Sequence, residues 1–335
     1  AYDTYQEKPQ FPWMYASQGP TDPRIGPAVD PNLTRYSGYT SVLSIAKNPI
    51  AIERCHGFEG MCVNDIVAFQ SGLLVALGPN SSWGNASLQL DAGKIPTAVS
   101  VTDAGELALL TVWDTVNLKG QVAVIALAGS GHLGCCEDWP AIYPGLRNYG
   151  KYTYMKLLGY IDLPGMMAPT GISASSNHDP SLDSNQGFFT CTDGSRCLAG
   201  SMPLNIEANR QTFVTGGTGT YGGANADLIT TSGFAVVISK SEKKAIFIDL
   251  KPLFQQFHDQ YFTTLSNFQL TQTLGSAANQ WPYAFSYAPS FMPTIVKTVS
   301  LTDTPTAVAA AMSAVDRAWI ATEDGTLHIW SVGGY

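Results

Sequence analysis

Three copies of one short phrase recur along the chain and restrict its possible folds more than any other feature. The copies are residues 95–101 (IPTAVSV), 168–174 (APTGISA) and 304–310 (TPTAVAA). Each follows a run ending in aspartate and a short turn. The first and third copies are followed by a turn, a strand, a second turn and another strand. The phrase therefore marks a repeated antiparallel unit of four short strands.

Short runs rich in Val, Ile, Thr and aromatic residues, divided by turn residues, continue through most of the sequence. The predicted strands are residues 40–46, 73–77, 98–101, 107–113, 121–127, 156–163, 171–174, 234–239, 245–250, 294–301, 307–311, 318–322 and 326–332. A β-propeller blade has four strands in about 40–45 residues, so 335 residues accommodate about seven blades. A pair of β-sandwiches is the alternative, but near-identical phrases at blade-like positions disfavour it. The prediction is an all-β fold, a single β-propeller with seven blades of four antiparallel strands.

Two kinds of segment depart from the strand pattern. Residues 1–37 contain many prolines and the aromatic residues Phe11, Trp13 and Tyr15, which predicts an extended N-terminal arm. Residues 38–335 are assigned to the propeller, with insertions near 128–155 and 251–290.

The second insertion begins with apolar residues at helical spacing. They are Leu250, Leu253, Phe254, Phe257 and Tyr261. This spacing predicts a short amphipathic helix that covers a blade edge. Further on, Trp281 precedes a proline and is expected to be an exposed contact residue, as is Trp139.

Charge excludes several classes of partner. The chain has 18 Lys and Arg against 26 Asp and Glu, a formal net charge of −8. This balance argues against a nucleic-acid backbone or an anionic membrane surface as the main partner. No apolar run of about 18 residues occurs, so no transmembrane span is predicted.

Cysteine usage indicates an oxidising compartment. The six cysteines form three close pairs: Cys55 and Cys62, Cys135 and Cys136, Cys191 and Cys197. All six are disulfide candidates, with fifteen connectivities open. Asn32, Asn80 and Asn85 lie in glycosylation-type triplets, and the chain starts at Ala1, as after removal of a signal peptide. An extracellular or periplasmic location is expected.

Two loops contain residues of metal-ligand type. His132, Cys135, Cys136 and Glu137 are suited to copper or zinc, but disulfide bonding of the cysteines is favoured in an oxidising compartment. Asp179, Asp183 and Asn185 are suited to calcium. However, the full calcium-loop signature is absent, so a loop built of Asx turns is favoured.

A catalytic signature is also missing. None of the five histidines lies beside a recognisable nucleophile motif, and His328 falls in a predicted strand. The glycine-rich residues 215–223 lack the Lys-Ser/Thr ending of a phosphate-binding loop, and no Cys-x-x-Cys-His haem motif occurs. No catalytic, cofactor-binding or metal residue is assigned, and no cofactor is implied.

The Pro-Thr-Ala-Val phrase, the strand-turn-strand that follows it and the DGTLHIW ending at residues 324–330 resemble secreted β-propeller repeats of the YVTN type. The ending is also similar to WD-repeat blades, although the Gly-His and Trp-Asp signature does not recur across the copies. The resemblance implies architecture only, because such propellers include lactonases, redox-enzyme subunits, surface-layer proteins and binding platforms.

Taken with the missing catalytic signature, these features predict a non-catalytic binding or assembly module. It would present its loops and its N-terminal arm to a protein partner or to a neighbouring subunit of a homo- or hetero-oligomer. The alternative is an enzyme or redox-enzyme subunit that uses the central channel of a YVTN-like propeller.

Overall fold

The computed structural model describes residues 2–3, 8–9, 48–54, 65–77, 86–129, 143–147, 152–177, 188–190, 196–198, 204–214, 229–312 and 315–333. Within the predicted arm it describes one antiparallel pair, β1 (Tyr2–Asp3) and β2 (Lys8–Pro9). The predicted strand at residues 40–46 and most of the first insertion lie outside the described residues.

Four antiparallel sheets carry the fold, and each is built from strands in chain order apart from one inserted hairpin. Blade 1 consists of β3 Pro49–Arg54, β4 Asp65–Phe69, β5 Leu73–Leu77 and β6 Ser87–Gln89. Blade 2 consists of β7 Lys94–Val101, β8 Leu107–Asp114, β9 Lys119–Gly129 and β10 Tyr152–Asp162. Blade 3 consists of β11 Gly171–Ser176, β14 Gly233–Ser239, β15 Lys244–Asp249 and β16 Thr294–Ser300, with the hairpin β12 Phe188–Thr190 and β13 Arg196–Leu198 inserted after β11. Blade 4 consists of β17 Pro305–Ala311, β18 Arg317–Thr322 and β19 Leu327–Ser331.

The first strands of successive blades lie side by side. β3 contacts β7, β7 contacts β11, and β11 contacts β17, so these four strands form an inner row from which the sheets extend outward. Blades of antiparallel strands that pack face to face around such a row are the arrangement of a β-propeller. The predicted all-β propeller architecture is therefore confirmed.

The prediction of seven blades is wrong, because the described residues form four. The proline of the phrase marks the first strand of one blade each time, yet Pro96 and Pro169 are 73 residues apart and Pro169 and Pro305 are 136 apart. Insertions between strands, rather than additional blades, account for the excess length. Dividing the chain length by a standard blade length therefore overestimates the number of blades.

Proline has a structural role at the start of the first strands. The register with the second strand shifts immediately after Pro96 in β7 and after Pro305 in β17. Proline has no backbone N–H, so it is tolerated where the hydrogen-bond ladder is already interrupted. The same shift follows Pro49 in β3, where Pro49, Ala51 and Ile52 form a fourth copy of the phrase.

The threonine of the phrase provides a polar contact beside this interruption. In the three copies its Oγ1 atom lies 3.2–3.3 Å from a carbonyl oxygen of the neighbouring strand, in the pairs Thr97 with Thr111, Thr170 with Ile238 and Thr306 with Ala321. Thr97 Oγ1 also lies 2.7 Å from the carbonyl oxygen of Pro169 in the next blade. The repeated sequence thus matches a repeated local geometry.

Three layers of apolar side chains hold the four blades together. Ile66 and Leu110 pack between blades 1 and 2, Val124 and Ile246 pack between blades 2 and 3, and Ile320 packs between blades 3 and 4. All five side chains are fully buried. The middle blades are covered on both faces. The sequences of β8 and β9 are therefore almost continuously apolar and do not alternate between apolar and polar residues.

Helices occupy the long connections of blade 3. They are α1 Glu207–Val214, α2 Lys251–His258 and α3 Leu265–Leu270, with a π-helical turn at Asp259–Thr263 after α2 and a 3-10 turn at Pro289–Phe291. The predicted amphipathic helix is confirmed, because Leu253, Phe254 and Phe257 of α2 are buried in the core between blades 2 and 3.

The expectation for Trp281 is wrong, since only 1% of its surface is exposed. Its Nε1 atom donates to Tyr261 Oη at 2.7 Å, and Tyr261 Oη donates to the carbonyl oxygen of Pro144 at 2.9 Å. The edges of Phe257 and Tyr283 also pack against its ring. An indole whose N–H has a hydrogen-bond partner inside the protein can be buried completely. The expectation of exposure relied on the proline after Trp281, and that proline does not indicate whether such a partner exists.

Among the described helices, none combines the length and the apolar character needed to cross a membrane.

Candidate functional site

The junctions between blades are made by the phrase itself. We call the face of a blade toward the preceding blade in the chain its upstream face, and the opposite face its downstream face. In β7, Val99 packs upstream with blade 1, whereas Ala98 packs downstream with blade 3. Ile172 and Val308 occupy the position of Val99 in the other copies and also pack on the preceding blade. In each copy a β-branched residue faces upstream.

This β-branched residue packs against small residues on the downstream face of the preceding blade. A Cβ atom placed on Gly171 of β11 would lie 3.8 Å from Val308 Cγ1 of β17. Gly171 has the position of Ala98 in β7 and of Ala307 in β17. The downstream position is therefore glycine or alanine in these three blades, which lets the next inner strand approach closely.

A serine in the phrase adds a hydrogen bond across the junction. Ser100 Oγ accepts from Ala174 N at 3.0 Å, and Ser173 Oγ accepts from Ala310 N at 3.0 Å. The corresponding residue of β17 is Ala309, which offers no side-chain acceptor. The downstream face of blade 4 can therefore make the apolar part of a junction but not this polar part.

In the part of the chain that the structure describes, no element packs on the downstream face of blade 4, and we call this face the open face. Strand pairing aligns Ala309 with Trp319 and Ile329, and Ala307 with Ala321 and Leu327. Leu327 and Ile329 are 55% and 58% exposed, and both alanines of β17 are exposed. The downstream faces of blades 1, 2 and 3 are also lined by apolar side chains, and each of them packs against the next blade. An exposed apolar face of this kind is typical of a docking surface.

The upstream end of the blade row is uncovered at its inner strand. Ile52 has the position of Val99, Ile172 and Val308, but it is 64% exposed, and its neighbour Ile50 is 43% exposed. Within the described residues, β3 and β17 do not pack side by side as the other successive first strands do. The rest of this face of blade 1 is buried, since Val67, Phe69, Leu73 and Val75 are 7%, 6%, 0% and 0% exposed. Exposure at this end is therefore limited to the inner strand, whereas the open face is exposed at both β17 and β19.

A polar network connects the strands of blade 2. Lys94 Nζ contacts Asp114 Oδ2 at 2.7 Å and donates to Gln121 at 2.5 Å, and Gln121 donates to Asp162 at 2.6 Å. Lys119 completes the series by contacting Asp162 at 2.7 Å. The hydrogen bond from Lys94 holds the pKa of Asp114 well below its usual range. These charges are paired with one another and stabilise the blade.

Two further charged residues are buried, and each forms hydrogen bonds to a segment distant in the sequence. Glu106 is fully buried and accepts hydrogen bonds from the hydroxyls of Thr102 and Thr230. Lys156 is 5% exposed, and its Nζ donates to the carbonyl oxygens of Ala277 and Gln280 at 2.9 and 2.8 Å. Burial lowers the pKa of Lys156 to about 8. The amine attaches the second insertion to the outer strand of blade 2.

The residues singled out from the sequence for metal or disulfide chemistry lie largely outside the described part of the chain. This holds for both candidate metal loops and for Cys55, Cys62, Cys135, Cys136 and Cys191, whereas the backbone of Cys197 belongs to β13. Within the described ranges no group of three or more His, Cys, Asp or Glu side chains is placed to hold a metal ion. His328 is half-buried in β19, as its strand position predicts.

The sequence reasoning missed the strands β3 and β4 and the open face of blade 4. The available signal was the Pro49, Ala51 and Ile52 spacing, which repeats the proline, alanine and β-branched positions of the phrase. Ile50 replaces the threonine of the other copies, so the fourth copy is less apparent. The exposure of the open face depends on which blades are neighbours, and the sequence of the phrase does not specify that.

Comparison with known proteins gives distant likenesses. No protein-family model matches the chain. GTPase Obg of Prochlorococcus marinus (strain MIT 9313) is 26% identical over 172 residues, covering 47% of this chain and 51% of that protein. The β-propeller domain of Cps50 (Swd1) from Myceliophteria thermophila aligns with a TM-score of 0.38 and 9% identity, covering 85% of this chain and 53% of that one. The chain thus spans about half the length of each.

The likeness to a GTPase is not accompanied by a nucleotide-binding loop. A phosphate-binding loop of this class has the pattern Gly-x4-Gly-Lys-Ser/Thr followed by a helix. The nearest run here, Gly145-x4-Gly150-Lys151, continues with Tyr152, which begins strand β10. The fold assignment therefore rests on the blades and their inner row of strands, and the candidate site is the open face of blade 4.

Proposed function

We propose that this chain is a non-catalytic binding or assembly module that joins a protein partner through the open face of blade 4. One observation carries the proposal: a blade face built like an inter-blade interface is exposed. The other three blades use such faces to bind a neighbouring sheet. The loops and residues 1–37 are further contact regions in this proposal.

Energetics favour occupation of the open face. Full burial of a leucine or isoleucine side chain contributes about 1.5–3 kcal/mol. Leu327 and Ile329 are more than half exposed, so covering them would contribute about 1–2 kcal/mol each. Half-buried Trp319 lies beside them, and tryptophan is over-represented among residues that dominate binding energies. A rigid sheet also loses little conformational entropy on binding.

The proposed location is extracellular or periplasmic. Support comes from the six cysteines in three close pairs and from a surface that is poor in charge, with 13% charged residues. An even set of closely spaced cysteines suits a compartment where disulfides persist. In that compartment, neighbouring subunits would cover the parts of the surface that carry few charges.

Hydroxyl-radical footprinting tests the proposed function. Oxidation of Trp319, Leu327 and Ile329 is measured in the native assembly and in the dilute isolated chain. Val116 and Leu118, which are 72% and 62% exposed in the turn between β8 and β9, serve as controls. We expect severalfold protection of the open face in the assembly and unchanged controls. Equal oxidation of the open face in both samples would overturn the proposal.

A further inference from the structure

We infer that the partner binds by adding a β-strand to the outer edge of β19, and that this strand is an extended segment of a different protein with apolar residues and one acidic residue. This inference rests on the proposed function and defines the chemistry of the partner. Blades 1, 2 and 3 each have four strands, whereas blade 4 has three in the part of the chain that the structure describes. The position that β16 occupies beside β15 in blade 3 is not filled by a described strand in blade 4.

The edge of β19 lacks the features that protect the outer edges of the other blades. Natural edge strands avoid pairing with other chains by being short, irregular or charged. Strand β6 has only three residues, β10 pairs with β9 through two register shifts, and β16 has a register shift and contains Lys297. Strand β19 contains no proline and no Lys, Arg, Asp or Glu, and its pairing with β18 has no register shift. Among these outer strands, β19 is therefore the one suited to accept a further strand.

The backbone of β19 offers hydrogen-bonding groups at this edge. The pairs at residues 322 and 326 and at residues 316 and 332, which flank the β18–β19 ladder, are joined by backbone hydrogen bonds of 3.0 Å. Because bonded and non-bonded pairs alternate in an antiparallel ladder, Leu327, Ile329 and Ser331 direct their N–H and C=O groups away from β18. The side chains of Leu327 and Ile329 are more than half exposed on the open face. An added strand would therefore gain backbone hydrogen bonds and apolar contacts from the same residues, as in β-augmentation.

Positive charge beside one end of this edge indicates an acidic residue in the added strand. Lys297 Nζ of β16 lies 5.0 Å from the centroid of the Trp330 ring, and Arg317 Nη1 donates to Ser331 Oγ at 3.4 Å. Both cations are exposed, and the carboxylate of Asp316 lies beyond the strand, beside Gly333. Because blades 3 and 4 pack face to face, a strand added to β19 would lie over β16 and beside Lys297. A glutamate or aspartate at that position would pair with the cations and fix the register of the strand.

Two pairs of variants separate the backbone and charge contributions. Ile329→Pro removes an outward N–H and keeps the hydrogen bonds to β18, so the fold should tolerate it. Ile329→Ala removes the same apolar side chain, keeps the N–H and serves as its matched control. Lys297→Glu reverses the charge beside the edge, and Lys240→Glu makes the same change at an exposed lysine in the turn between β14 and β15. Circular dichroism and the melting temperature confirm folding before binding is measured.

The probe is an end-blocked, fluorescently labelled peptide with the sequence of residues 293–301, in which glutamate replaces the lysine of position 297. It is chosen because β16 is the strand that completes blade 3. Fluorescence anisotropy gives the Kd of the peptide for the full chain. We expect Ile329→Pro to raise Kd at least about tenfold more than Ile329→Ala, Lys297→Glu to raise it about tenfold, and Lys240→Glu to leave it unchanged. A peptide that does not bind the wild type, or equal Kd values for Ile329→Pro and Ile329→Ala, overturns the inference.

Amide hydrogen exchange at Leu327, Ile329 and Ser331 separates failure of this inference from failure of the proposed function. In the native assembly we expect these amides to exchange at least about tenfold more slowly than in the dilute chain. If the side chains of the open face are protected from hydroxyl radicals there but the amides exchange equally, the partner covers the face without adding a strand, and only this inference falls. If neither is protected, both proposals fall. Protection of the amides in the purified chain, whether constant or rising with its concentration, would show that the strand comes from this chain or from a second copy, and the assignment to a different protein falls.

Discussion

Replacing Ser100 with alanine tests whether the serine of the phrase helps to hold consecutive blades together. Ser100 Oγ accepts the hydrogen bond of Ala174 N at 3.0 Å, and both residues are only 4% exposed. In Ser100→Ala the N–H group of Ala174 keeps its buried position and loses its partner. The change removes few atoms, so the lost hydrogen bond dominates its effect.

A buried donor left without a partner costs about 1–3 kcal/mol. That cost corresponds to an increase of about 5- to 150-fold in the equilibrium constant for opening the junction, since 1.4 kcal/mol is a factor of ten. Ser173→Ala provides an internal comparison, because its donor belongs to Ala310, which is half-buried and nearer to solvent. Its effect should be smaller, below about 1 kcal/mol.

Hydrogen–deuterium exchange of the peptide covering β11 measures the opening directly, and urea denaturation measures the free energy of unfolding. Ser286→Ala, at an exposed position in the second insertion, is the control for a serine with no junction role. We expect faster exchange at Ala174 in Ser100→Ala only. If Ser100→Ala and Ser286→Ala exchange and unfold alike, the serine does not stabilise the junction and the explanation of the phrase is wrong.

Three further predictions follow from the buried groups and from the cysteines. Tyr261→Phe leaves Trp281 Nε1 without its acceptor, so the free energy of unfolding in urea should fall by about 1–3 kcal/mol, whereas Tyr287→Phe, at a residue 58% exposed, should change it little. Lys156 has its pKa lowered from 10.5 to about 8, so between these values the unfolded chain binds more protons and stability rises with pH. Wild type should gain about 1.5 kcal/mol between pH 8 and about 9.5 relative to Lys156→Met, and parallel pH profiles would contradict this. Alkylation of the unreduced native protein, read by mass spectrometry, should modify none of the six cysteines, and any modified cysteine would show that the disulfide set is incomplete.

Much of the local structure could be read from the sequence. The run at residues 73–77 is β5, and the phrase copies at Pro96, Pro169 and Pro305 mark the first strands of three blades. Helical spacing located α2, whose apolar residues are buried. These features depend on side-chain alternation and turn chemistry, which are determined by residues close together in the sequence.

The candidate site could not be read in this way. Ile52 and Val308 occupy the same position of the phrase, yet Ile52 is 64% exposed and Val308 packs against blade 3. Trp281 precedes a proline, as an exposed loop residue would, but its N–H reaches the hydroxyl of Tyr261 and the ring is buried. For Trp281 the deciding partner is distant in the chain, and for Ile52 no described element packs over the side chain.

The sequence by itself determined most of the strands, their antiparallel order, the repeated blade start and the helical insertion, because each follows from hydrogen bonding and hydrophobic periodicity over a few residues. The tertiary structure alone decided that the described residues form four blades instead of seven, and that the open face of blade 4 is exposed at apolar residues. Burial of a sheet face depends on whether another sheet lies against it, and a strand carries the same alternation of side chains in either case.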